Sequence, residues 1–158
     1  MPALDPAAFR TLLAAFATGV AVVTARDRDG RVAGMTASAV SSVSLDPPLL
    51  LVCVDRATEF HQVLEAARHF ALSVLAADQE DLSRRFASDV ADRFAGVGHT
   101  VQNRGLALLD GAVAHILCEA WDARPAGDHT LFLGQVIDGE VFPRPPLVHF
   151  RGGYRHLE

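Results

Sequence analysis

Apolar positions along this chain recur with two periods, and the period changes several times. Near the start, Phe9, Leu12, Leu13 and Phe16 repeat at the spacing of one helical face, while Asp5 and Pro6 supply a side-chain cap and a first-turn proline. A helix is predicted there, with its apolar face packed on something larger. After Thr18-Gly19 the pattern turns to strands. VAVVTA over 20–25, the polar hairpin turn RDRDGR over 26–31 and VAGMTASAV over 32–40 predict an antiparallel pair. Asp46-Pro47-Pro48 then imposes an extended turn, because each proline fixes its own φ and disfavours helix before it. LLLVCV over 49–54 follows as a buried strand.

Thr58 is placed to cap a second helix, on which Phe60, Val63, Leu64 and Ala67 share one face. FALSVLA over 70–76 reads as a strand, and Asp78 begins a short helix through QEDLSRRFA. From Ala112 the chain alternates for a dozen residues, breaks at Pro125-Ala126-Gly127-Asp128 and resumes as HTLFLGQVI over 129–137, which predicts a long hairpin. LVHF over 147–150 is the final strand. Strands dominate and do not alternate regularly with helices, which argues against a parallel doubly wound sheet. The expected fold class is mainly β, a Greek-key-like or split β-barrel with a few peripheral helices. No repeat, low-complexity tract or linker divides residues 1–158, so a single domain is expected.

Half of the residues are hydrophobic and 21% are charged, enough apolar surface to build a core and to argue against disorder. The net charge of −5 opposes binding to nucleic acid phosphates or anionic lipid, and neither partner is expected. No apolar run reaches the roughly 18 residues of a membrane span. MPALDPAAFR lacks a basic leader before an apolar segment, so a cytoplasmic location is the expectation. Cys53 and Cys118 each sit in an apolar strand-like run, a setting that suits buried reduced thiols. With no CxxC and no histidine pair at ligand spacing among seven histidines, no metal is expected.

The densest candidate chemistry runs from Gly34 to Thr58. Thr36, Ser38, Ser41, Ser42 and Ser44 lie on strand and turn backbone directly before a buried apolar strand. Small hydroxyl residues let a planar ligand approach the backbone, and their O–H groups with nearby N–H groups can satisfy ring carbonyls and a phosphate. The same pattern also suits an edge strand with solvated serines. No Ser/His/Asp set, paired carboxylate site or GxxxxGK loop is visible, and the lack of GxGxxG rules against a Rossmann dinucleotide fold.

The segments FATGVAVVTA, GMTASAVSSVSLDPPLLLVCV, FALSVLAADQEDLSRRFA, GDHTLFLGQV and PLVHFRGGYRHL, in that order, resemble the flavin reductase-like family of FMN-binding split barrels. The chain looks most like the short-chain flavin reductases that supply reduced flavin to two-component monooxygenases. The resemblance spans almost the whole chain. It implies FMN or FAD as the flavin, NADH or NADPH as hydride donor, a homodimer with flavin near the subunit interface, and an oxygenase component as recipient. The alternative reading is a non-catalytic flavin-binding or electron-carrier protein of the same fold. From the residues alone, an interaction domain that binds no cofactor stays open as well.

The resemblance also implies contacts. Thr36, Ala37 and Ser38 match the segment beside the isoalloxazine ring, and Ser42, Val43 and Ser44 match a second segment touching the ring or ribityl chain. Cys53, Val54, Asp55, Arg56 and Thr58 match the strand end and helix start that hold the phosphate. That assignment has its own physical basis in the unpaired N–H groups and partial positive charge of a helix N-terminus. Ala57 and Glu59 flank Thr58 where relatives often carry hydroxyl residues. Arg93, within Asp92-Arg93-Phe94, matches a further phosphate-side charge. Phe86 in SRRFA matches a family position and reads equally well as a core phenylalanine. Gly127, Asp128 and His129 form a turn whose imidazole lies by the flavin face and positions the nicotinamide, and Tyr154 matches a second residue near that pocket. On motif order, the His129 turn is expected to stand apart from the phosphate-side segment.

Overall fold

The fold was taken from a computed structural model, which describes residues 1–157. In chain order its elements are α1 (Pro6–Ala14), β1 (Thr18–Gly19), β2 (Ala21–Arg26), β3 (Val32–Ala37), β4 (Val40–Leu45), β5 (Pro48–Asp55), α2 (Glu59–Ala66), β6 (His69–Val74), α3 (Glu80–Phe86), β7 (His99–Val101), β8 (Ala107–Leu109), β9 (Ala114–Ala126), β10 (His129–Val141), β11 (Val148–Phe150) and β12 (Gly153–Arg155). The fold is mainly β, as the sequence pattern implies.

The main sheet has seven strands in the order β3-β2-β6-β9-β10-β5-β4, every neighbouring pair antiparallel. Its two edge strands, β3 and β4, are separated in sequence by only Ser38 and Ala39. Two extended residues reach about 7 Å, so the sheet must roll until its edges meet. The amide of Cys53 on β5 donates to the Ala39 carbonyl at 3.0 Å, next to the closure. This corrects the single strand expected over 32–40. Closure of the barrel divides that segment into two strands on opposite edges, and no local propensity marks the division.

Inward positions of the barrel carry Val23, Val52, Val54, Phe70, Leu72, Cys118 and Phe132, and α2 packs Phe60, Val63 and Leu64 against them. Each such side chain contributes about 1.5–3 kcal/mol on full burial. A second cluster lies under α3, where Val22, Leu75, Phe86, Leu109 and Leu147 are shut off from solvent. Gly34 makes room there, since a Cβ at that position would stand 2.8 Å from Cε1 of Phe86.

Asp5 caps α1 as expected, its Oδ1 accepting from the amides of Ala7 and Ala8 at 2.9 and 3.1 Å. The expected packing of that helix is not made among the described residues. Phe9, Leu12, Leu13 and Phe16 remain 52–73% exposed. At the hairpin, β9 continues through Pro125, which pairs with Thr130, so the turn shrinks to Gly127-Asp128, with Gly127 at φ 64°. Pro125 is tolerated because, among the described residues, β9 beyond Ala120 pairs with β10 alone. β10 also runs four residues past the expected end, to Val141. A three-stranded sheet of order β1-β11-β12 and the β7-β8 pair complete the fold. No helix among the described residues is long and apolar enough to cross a membrane.

Candidate functional site

β5 alternates between buried Val52 and Val54, which face the barrel core, and half-buried Leu51, Cys53 and Asp55 on the opposite face. The chain then turns into α2 through a tightly bonded loop. Asp55 Oδ1 accepts from the Ala57 amide at 2.8 Å, and the Asp55 carbonyl accepts from the Thr58 amide at 3.2 Å and the Thr58 hydroxyl at 2.8 Å. Thr58 Oγ1 in turn accepts from the His61 amide, capping α2. The Thr58 hydroxyl is therefore engaged within the loop, donating to the Asp55 carbonyl while accepting from the His61 amide. The amides of Arg56, Ala57, Thr58 and His61 are likewise engaged. Those of Glu59 and Phe60, in the first turn of α2, remain to face an anion, together with the exposed Arg56 guanidinium.

The β9-β10 turn lies against this loop. Asp55 pairs directly with His129 in the β5-β10 register, and the Arg56 amide donates to the Asp128 carbonyl at 3.0 Å. This corrects the expected separation of the two segments, because antiparallel pairing of β5 with β10 brings their distant motifs to one edge. Nδ1 of His129 stands 2.7 Å from Oδ1 of Asp128, and this contact holds the exposed Asp128 carboxyl below the usual carboxylate range.

The hydroxyl-rich segment is divided by the barrel closure. Ser38 and Ser42 are exposed and Ser44 is half-buried, while Val43 occupies a bulge between Ser42 and Ser44. Ala37 is buried. The Thr36 hydroxyl donates to the carbonyl of Ser83 at 2.6 Å, and the Ser83 hydroxyl lies 2.7 Å from that of Tyr154. Ser83, with no sequence signal beyond its place in SRRFA, thus ties β3 to β12. Arg84 extends over the Tyr154 ring at 5.0 Å, and His149 packs edge-on to the same ring.

Three of the expected site residues make contacts within the chain. Phe86 is fully buried, edge-on to Phe94 at 5.1 Å, and belongs to the core. The Val54 side chain points into the barrel, leaving only its backbone on the site side. Arg93 donates to the carbonyls of Gly34 and Ser88 at 2.7 and 2.9 Å, acting as a strut under β3. Both thiols are free. Burial raises the pKa of Cys53 and pushes Cys118 up to about 12. Among the described residues no three His, Cys, Asp or Glu side chains cluster as metal ligands.

Closed barrel, exposed hydroxyl edge and the loop shared by Asp55, Arg56 and Asp128 define a split β-barrel of the kind found in flavin reductases. The chain belongs to the flavin reductase-like family, whose domain model matches residues 13–158. An NADH-dependent flavin reductase of Rhodococcus sp is 39% identical over 164 residues, covering 99% of this chain and 89% of that protein. The NADH:FAD oxidoreductase SgcE6 of Streptomyces globisporus, solved with NAD and FAD fragments, superposes with a TM-score of 0.92 at 39% identity, covering 100% of this chain and 98% of SgcE6. The stachydrine N-demethylase reductase subunit Stc3 of Rhizobium meliloti is 41% identical over 150 residues. That match takes in 95% of this chain but 65% of Stc3, and another Rhizobium meliloti relative is spanned over 48% of its length.

Proposed function

We propose that this chain is an NAD(P)H-dependent flavin reductase, which takes hydride from NADH or NADPH to FMN or FAD and hands reduced flavin to an oxygenase component in the cytoplasm. The observation that carries this reading is the meeting of the Arg56 loop with the Asp128-His129 turn, which sets a phosphate-side cation and an imidazole on one edge of the barrel. The residues fit a flavin. Exposed Ser38 and Ser42 offer unengaged hydroxyl groups along the β3-β4 edge, and Arg56 with the first amides of α2 offers positive charge to a phosphate.

When bound, flavin and nicotinamide supply the hydride chemistry between them. The chain's residues bind and orient. Ser38, Ser42 and the backbone beside them hold the polar edge of the ring, Arg56 holds the phosphate, and His129 with Tyr154 positions the nicotinamide. No protein acid or base is required, so placement is the principal contribution. The unpartnered apolar face of α1 supports a homodimer with the flavin edge near the subunit interface.

Steady-state NADH and NADPH oxidation with FMN and FAD added in turn tests this reading. Turnover with at least one pair is expected. Flavin binding without turnover would instead favour an electron carrier of the same fold, and no change in flavin absorbance or fluorescence on mixing would favour an interaction domain.

A further inference from the structure

A cleft of about 410 Å³ opens away from all the flavin-side residues, between the β2-β3 hairpin, the start of β6 and the turn before β8. Arg26, Arg28, Arg68, Arg104 and His69 line it, with Asp27 and Asp29 on the hairpin. Ala21 pairs with Ala37 at the flavin end of β2-β3, and Arg26 pairs with Val32 at the other. Five strand steps, roughly 16 Å, therefore separate the two.

The positive charge is concentrated here in a chain whose net charge is −5. Arg26, Arg28 and Arg104 enter none of the ion pairs among the described residues, and Arg68 makes only a loose contact with Glu119 at 3.7 Å. Asp27 and Asp29 offset part of this charge without forming an ion pair with these arginines, and Oδ1 of Asp27 accepts from the hairpin amides of Asp29 and Arg31 at 3.0 and 2.9 Å. Arg26 is also held in place. A Cβ at Gly30 would stand 3.1 Å from its Nη2, and one at Gly105 would stand 2.5 Å from its Nη1. Two turn glycines with positive φ, 87° and 73°, thus seat one guanidinium between the two loops.

We propose that this cleft is a second binding site, for a diphosphate-bearing ligand of nucleotide size. Four guanidinium groups offer planar donor forks that match phosphate oxygens, and grouping four of them against the two lining carboxylates of Asp27 and Asp29 leaves an excess of positive charge that a bound anion would offset. The volume lies in the range of small-ligand pockets, not of an extended macromolecular surface. His69 adds a reporter. Burial, with Arg104 next in effect, lowers its pKa, so an anion bound beside it should move that value upward.

Calorimetric titration of FMN-saturated protein with sodium pyrophosphate, ADP and AMP at low ionic strength tests the site. Pyrophosphate and ADP are expected to bind with comparable affinity, and AMP about tenfold more weakly or worse. Arg104→Gln and Arg28→Gln should each weaken pyrophosphate about tenfold, leaving FMN affinity and reductase turnover unchanged. The His69 titration midpoint, followed by NMR, should rise on adding pyrophosphate. The site does not depend on the flavin reading, and the same titrations can be read on flavin-free protein. Absence of both heat and His69 response would overturn the proposal. So would pyrophosphate binding that survives both arginine variants, or binding lost in Arg56→Ala instead, which would assign the anion to the flavin phosphate site. AMP binding as tightly as ADP would overturn the diphosphate assignment.

Discussion

Nε2 of His61, on α2, lies 2.8 Å from Oγ1 of Thr130, on β10, and both side chains are buried. His61 also donates its amide to the Thr58 hydroxyl, and Thr130 follows His129 directly. One buried contact therefore braces the start of α2, next to Arg56, against the strand that begins with His129. Thr130→Val removes the hydroxyl and leaves a buried ring nitrogen unpaired, at a cost of about 1–3 kcal/mol. Urea unfolding should show the midpoint falling accordingly. An unchanged midpoint would mean that water or another group takes over the ring nitrogen.

Arg56→Ala should weaken flavin binding roughly 10- to 100-fold, the worth of one charge-assisted hydrogen bond. Thr58→Ala acts differently, because its hydroxyl serves Asp55 and the His61 amide. It should lower stability by about 1 kcal/mol through the lost cap and change flavin affinity less than Arg56→Ala does. Fluorescence-quenching titrations and denaturant unfolding on both variants separate the two effects. A loss of affinity in Thr58→Ala as large as that in Arg56→Ala would put the hydroxyl back on the phosphate.

The apolar face of α1 gives a prediction about assembly. Phe9 and Leu12 are more than half exposed while Asp5 caps the helix correctly, so the helix is well formed and lacks only a partner surface. Sedimentation at micromolar concentration should give a dimer for the unchanged protein. Phe9→Glu with Leu12→Glu should shift it toward monomer with little loss of helix content. A wild-type monomer that binds flavin tightly would argue against a site at the subunit interface.

Helix caps were legible in the sequence because capping is local. Asp5 and Thr58 each act within three residues of their own position. The order of strands around the barrel was legible only as a class, and the break at Ser38-Ala39 was hidden because it depends on closure between strands at opposite edges. The same limit applies to the site. The approach of Asp128 to Arg56 arises from the β5-β10 register, and the engagement of Thr36 with Ser83 from the docking of α3. Phe86 and Arg93 could be assigned to flavin or to structure on spacing alone. The burial of Phe86 and the carbonyl bonds of Arg93 come from packing across the second core, which spacing does not reveal.

Asp128 should titrate below the ordinary aspartate value of about 3.9, because the adjacent His129 ring favours its carboxylate. A group whose folded pKa is depressed contributes its pairing above the unfolded value and loses it as pH falls through the folded one. The Asp128-His129 contact should therefore persist to pH values at which an ordinary aspartate is already half protonated. Carboxyl-carbon NMR titration measures this directly. His129→Ala should return Asp128 toward the ordinary value, and an unmoved midpoint would mean that backbone groups set it.

His129→Ala is expected to act on the nicotinamide and not on flavin affinity, although its turn touches the phosphate-side loop. The link between the two segments is the Arg56 amide bonded to the Asp128 carbonyl, a backbone contact that survives loss of the imidazole. Flavin affinity should therefore stay within a few-fold. Loss of one ordinary hydrogen bond or stacking contact to the nicotinamide should raise the apparent KM for NAD(P)H, or lower kcat/KM, by roughly 2- to 12-fold. Stopped-flow reduction and flavin titration on the same sample read the two effects independently. A loss of many thousandfold would require acid-base chemistry that hydride transfer does not need. Unchanged nicotinamide kinetics combined with a flavin affinity reduced as far as in Arg56→Ala would move His129 to the phosphate side of the site.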